Sequence, residues 1–113
     1  MRILLATEQP ELRLALGLFL SEEPGMTIVG SASEAASLRS LLITARPELV
    51  LLDWDLPGHP PASLVAEAKS LNPHPHVIVV GKELDAKQAA LAAGADAFVL
   101  KAFHVQACLQ DGR

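Results

Sequence analysis

Short runs rich in leucine, valine and isoleucine, at Arg2 to Ala6, Met26 to Ser31, Leu49 to Leu52, Val77 to Val80 and Ala97 to Leu100, alternate with longer segments whose apolar residues return every three or four positions. This alternation limits the fold more than any other feature. A run of four to six apolar residues is too short for a core helix and reads as a strand buried on both faces, while the intervening period suits helices that cover it. Strands joined by helices pair in parallel through right-handed crossovers. The chain is therefore predicted to be α/β, a doubly wound parallel sheet of five βα units forming one domain over residues 1–113. With 50% hydrophobic and 19% charged residues, it carries enough apolar material for one core.

Local signals place the helices. Pro10 opens a first helix of roughly 10 residues, with Leu12, Leu16, Phe19 and Leu20 on one face and Pro24 and Gly25 at its end. Ser33 can cap the second, which turns Leu38, Leu41 and Leu42 inward and closes at Pro47. After the loop Asp53 to Pro61, Ser63 to Leu71 reads as the third, and Asn72 to His76 turns the chain into the fourth strand. Asp85 can cap an alanine-rich fourth helix, Gly94 suits its C-terminal left-handed position, and Phe103 to Leu109 would add a fifth of about two turns. Leu14 and Leu18 fall off the inner face of the first helix. They are read as the edge of a wide core stripe; the competing reading is a homodimer contact through this helix and the short fifth.

Several function classes are disfavoured. No apolar stretch approaches the roughly 20 residues of a membrane span, and Met1 to Ala6 is too short for a secretory leader, so a soluble cytoplasmic protein without membrane partners is expected. A net charge of −4 with nine scattered Lys and Arg residues provides no basic patch for nucleic acid. Cys108, the single cysteine, cannot form an internal disulfide and reads as packing. His74 and His76 lie in a Pro-rich turn and read as solvated rather than as metal ligands, and His59 sits in the loop after Asp53, where it can shape access.

The chemistry gathers at strand ends. Asp53 closes the third apolar run and is followed by the turn formers Pro57 and Gly58; Glu8 follows the first run and Lys101 the last. Open α/β sheets build their sites at the C-terminal ends of strands, so two carboxylates and one lysine converge on one rim. The arrangement looks flavodoxin-like, with strand order 2-1-3-4-5 and a site between the first and third strands. Trp54 is expected half-exposed beside it.

Over essentially its whole length the chain resembles the receiver domain of bacterial two-component response regulators, a resemblance that includes Leu51-Leu52-Asp53, Leu56-Pro57-Gly58, Gly94-Ala95-Asp96 and Lys101. The opening ILLATEQPELR resembles the subgroup with a C-terminal helix-turn-helix. That output segment is not in this sequence, which reads as a stand-alone receiver or a fragment of a longer regulator. The resemblance implies that Asp53 accepts a phosphoryl group from a histidine kinase or phosphotransfer protein, and that Lys101 contacts it. It also implies that Glu8, Asp53 and the backbone carbonyl of Asp55 hold Mg²⁺, and that the output is a protein or domain outside this chain. Activity would be limited to the domain's own phosphorylation and dephosphorylation.

Two departures from the family pattern stand out. Receivers carry two adjacent acids after the first strand; here Thr7 precedes Glu8, so Mg²⁺ is expected to bind weakly and Thr7 is read as a neutral filler. The fourth strand of a receiver ends in a Ser or Thr that contacts the phosphoryl group, whereas this one ends in Gly81, and no Ser or Thr follows Ser70. Phe98 holds the aromatic position that responds to that hydroxyl. The leading reading is a phosphoacceptor with a degenerate switch, and the alternative is a phosphorylation-independent interaction module. A flavodoxin-like ligand binder is disfavoured because TEQPE offers no glycines to cradle an anion.

Overall fold

Ile3, Leu4, Leu5 and Ala6 are almost wholly buried although successive strand residues face opposite sides, so the first strand is sandwiched between two layers. In the computed structural model, which describes residues 1–100, the order is β1 (Arg2–Ala6), α1 (Pro10–Ser21), β2 (Thr27–Ala32), α2 (Ala35–Thr44), β3 (Leu49–Asp53), α3 (Pro61–Lys69), β4 (His76–Gly81), α4 (Asp85–Ala92) and β5 (Ala97–Leu100). All five strands are parallel in the order β2-β1-β3-β4-β5, the flavodoxin-like arrangement expected from five βα units with acidic residues after the first and third strands. The strand order reverses between β1 and β3, and their C-terminal ends therefore open a crevice.

The two-residue period of the strands divides the core. Leu4, Ala6, Val50, Leu52, Val77 and Val79 face one way and pack under Leu38 and Leu42 of α2, Leu64, Val65 and Ala68 of α3 and Ala90 of α4. Ile3, Leu5 and Leu51 face the other way, onto Leu16 and Leu20 of α1. Burial of a leucine side chain stabilises the fold by about 1.5–3 kcal/mol, so these alternating positions are its main source of stability.

The structure revises several local expectations. Phe19 does not join Leu20 in the core: successive helix residues are turned by about 100°, and Leu14, Leu18 and Phe19 are 64%, 61% and 64% exposed. The core stripe of α1 is thus narrower than the sequence suggested. Ser33 gives α2 no side-chain cap; the cap residue is Glu34, and the Ala35 N–H donates instead to the Pro57 carbonyl at 2.9 Å. Asp85 is the first residue inside α4 rather than its cap. Gly94 does adopt the left-handed conformation, φ 115°. The expected fifth helix, with Cys108, and Lys101 lie outside the described residues.

Candidate functional site

Asp53 is the last residue of β3 and is 1% exposed. Burying a carboxylate is costly unless hydrogen bonds replace its water. The structure provides them: the Asp55 N–H donates to Asp53 Oδ1 at 2.9 Å, and the Thr7 hydroxyl donates to Asp53 Oδ2 at 2.7 Å. Thr7 is itself buried and held on three sides. Its N–H donates to the Ala32 carbonyl at 2.9 Å, its Oγ1 accepts from the Gln9 N–H at 3.1 Å, and its carbonyl accepts from Arg13 at 3.3 Å. The neutral-filler reading of Thr7 is overturned. Position in the sheet was legible, but the pairing was not, because nothing in a sequence says which side chain across the β1/β3 crevice a hydroxyl will meet.

Around this pair the rim is more open. Glu8 is exposed, and Asp55 is an exposed carboxylate whose Oδ2 lies 3.9 Å from Lys82 Nζ. Lys82 follows β4 directly, a rim position that no motif in the sequence marks. Trp54 is half-buried, its N–H donating to the Val80 carbonyl, and it lines an open cleft of about 320 Å³ with Asp55, Lys82, Glu83 and Asp85. His59 is exposed in the same loop; His74 and His76 lie at the other end of the sheet, where His76 Nδ1 is 3.8 Å from Asp96 Oδ2. Among the described residues, no three or more His, Cys, Asp or Glu side chains gather to hold a metal. The oxygen donors that the resemblance implies, the Asp53 and Glu8 carboxylates and the Asp55 carbonyl, are of the kind that a hard cation such as Mg²⁺ takes.

Gly81 and Phe98 meet directly. A Cβ placed on Gly81 would lie 2.8 Å from Phe98 Cε2 and 2.9 Å from Cζ, inside any real contact distance. The phenyl ring therefore covers the spot from which a side chain at position 81 would project, and packs against the core there. The absence of a hydroxyl and the seat of the aromatic are one packing fact.

A five-stranded 2-1-3-4-5 sheet with a buried aspartate at the β1/β3 crevice defines a receiver-type fold and site. The response regulator receiver domain model matches residues 3–111, and the chain belongs to that family. Over 101 residues it is 33% identical to the nitrate/nitrite response regulator protein NarL of Escherichia coli K12, covering 88% of this chain and 47% of that protein. It is 28% identical over 92 residues to a protein-glutamate methylesterase/protein-glutamine glutaminase of Burkholderia thailandensis, covering 81% of this chain and 26% of the relative. The chain thus spans half the length of these relatives or less. Among solved structures, the signal receiver domain of NarL from Mycobacterium tuberculosis superposes with a TM-score of 0.80 at 27% identity, covering 88% of this chain and 82% of that one. Receiver domains are regulatory modules of two-component systems. They interact with histidine kinases and output domains and commonly bind Mg²⁺ at the phosphorylation site. Among the described residues, no helix is long and apolar enough to cross a membrane.

Proposed function

We propose that residues 1–113 act in the cytoplasm as a single receiver domain that accepts a phosphoryl group on Asp53. The observation that carries this is the buried Asp53 carboxylate, held at both oxygens at the end of the strand where the sheet order reverses. The donor is the phosphohistidine of a kinase or phosphotransfer protein. One Asp53 oxygen forms the new O–P bond as the P–N bond breaks, and the electron pair leaves on the imidazole nitrogen, which is protonated. Glu8, Asp53 and the Asp55 carbonyl are the residues that would hold Mg²⁺, which when bound neutralises charge on the phosphoryl oxygens. Lys101 is assigned to contact those oxygens as a compact positive charge.

Transmission to the surface is weak in this reading. Gly81 supplies no hydroxyl, and a lost hydrogen bond to a charged group is worth about 1.5–3 kcal/mol, comparable to the gap between two conformations. Phe98, seated on Gly81, supports a surface whose shape depends little on phosphate, with output through standing protein contacts. The exposed Leu14, Leu18 and Phe19 strip supports α1 as one such contact, a homodimer interface.

Incubation with acetyl phosphate and Mg²⁺, followed by intact mass, tests acceptance: a gain of one phosphoryl group that Asp53→Asn abolishes is expected. No gain with either acetyl phosphate or a phosphohistidine donor would leave a module that acts by binding alone. Trp54, next to Asp53 in the chain, reports the Mg²⁺ step by fluorescence.

A further inference from the structure

We infer that Thr7 is a positioning residue for Asp53, its hydroxyl orienting the carboxylate by hydrogen bonding; this rests on the phosphoacceptor reading. The geometry is specific. Thr7 Oγ1 carries a single hydrogen and donates it to Asp53 Oδ2 at 2.7 Å, while the Gln9 N–H binds the same Thr7 oxygen from behind and fixes the direction in which the hydroxyl points. With Oδ1 tied to the Asp55 N–H, the carboxylate is held at each end and its rotation about the Cβ–Cγ bond is restricted before any donor arrives.

Orientation of this kind accelerates the transfer because a carboxylate free to rotate is turned away from the in-line path for part of the time. Thr7 forms no bond to phosphorus. The O–P bond is made by Asp53, the bond to the leaving group breaks with its electron pair, and the threonine proton stays on Oγ1 throughout. The hydroxyl also adds no negative charge beside the anionic donor, unlike a carboxylate at this position.

The test compares the chain with Thr7→Val, Thr7→Ser and Thr7→Ala, using acetyl phosphate at saturating Mg²⁺ and following phosphorylation by intact mass. Thr7→Val keeps the shape and removes the hydroxyl; it is expected to lower the maximal rate by about tenfold or more, with the donor concentration at half-rate unchanged within about twofold. Thr7→Ser keeps the hydroxyl and should restore most of the rate, a rescue that a purely structural role of the threonine methyl would not give. In metal-free protein at fixed neutral pH, the Asp53 carboxyl carbon resonance should move in Thr7→Val and stay near its wild-type position in Thr7→Ser. If Thr7→Val does not fold, Thr7→Ala supplies the same comparison. Equal rates in the wild type and the hydroxyl-free variant overturn the inference alone. A wild-type chain that takes no phosphoryl group overturns the acceptor reading, and the inference with it.

Discussion

Gly81 and Phe98 make a testable pair. Because a Cβ at position 81 would lie 2.8 Å and 2.9 Å from two ring carbons, Gly81→Ser must displace the phenyl ring or the strand beneath it. Overpacking of this kind costs about 1–3 kcal/mol, which should appear as a lower urea midpoint at unchanged slope. Trp54 fluorescence should change as well, since Trp54 Cβ would lie 3.7 Å from the new atom. Phe98→Leu in the same chain should recover much of the loss, and the non-additivity of the two changes measures their contact. A Gly81→Ser protein as stable as the wild type would show that the ring has another seat. At this scale the sequence revealed that position 81 has no hydroxyl; it could not reveal that an aromatic on the neighbouring strand had taken the space.

Among the elements, β4 and β5 are joined to α3 by one carboxylate. Asp96 Oδ2 accepts from the Val77 N–H at 2.8 Å and from Lys69 Nζ at 2.8 Å, while the Asp96 N–H donates to the Val77 carbonyl at 2.8 Å. Partial burial pushes the Asp96 carboxyl up, but the bonds from Lys69 and Val77 and the nearby positive charge outweigh it and hold it below the ordinary carboxylate range. Glu67 on α3 is likewise held low by the guanidinium of Arg39 on α2, 2.8 Å away. A depressed carboxyl stabilises the fold above its unfolded pKa of about 4 and loses that contribution as the pH falls through the folded value. Asp96→Asn should therefore cost about 1 kcal/mol at neutral pH, a figure kept small by the 40% exposure of the side chain. The difference from wild type should shrink below about pH 4. A difference independent of pH would sink this account. The strands were legible because their apolar runs are continuous, and Gly94 because only a left-handed position explains it. Helix starts were less so: Ser33 and Asp85 are good capping residues by type, but the Pro57 carbonyl and the turn through Glu83 and Leu84 decide where those helices begin.

For the molecule as a whole, one face of the sheet is covered by α2, α3 and α4, and α1 covers part of the other with an outer side that remains apolar. Leu14, Leu18 and Phe19 lie on that outer side, and Leu14→Glu with Leu18→Glu should leave the melting temperature at dilute, monomeric concentration nearly unchanged, since neither side chain is in the core, while removing any rise of that temperature with protein concentration. The same double change should reduce the sedimenting mass from dimer to monomer. A wild-type chain that already sediments as a monomer at high micromolar concentration would remove the homodimer and leave the strip for a different partner. The fold class was readable because the alternation dictates a parallel βα sheet, and the rim carrying Asp53 and Glu8 because open α/β sheets build their sites at the C-terminal ends of strands. The Thr7 to Asp53 bond was not, because it depends on the approach of two strands whose residues stand 46 positions apart in the chain.

The seat of Phe98 on Gly81 also bears on how such a domain can change over generations. A chain that takes serine at position 81 in one step meets a packing clash before it gains a contact to phosphate, and one that first trims the phenylalanine gives up apolar packing against the core. Either order passes through a less stable intermediate, so a hydroxyl at position 81 is hard to add one change at a time and comes readily only when both positions change together.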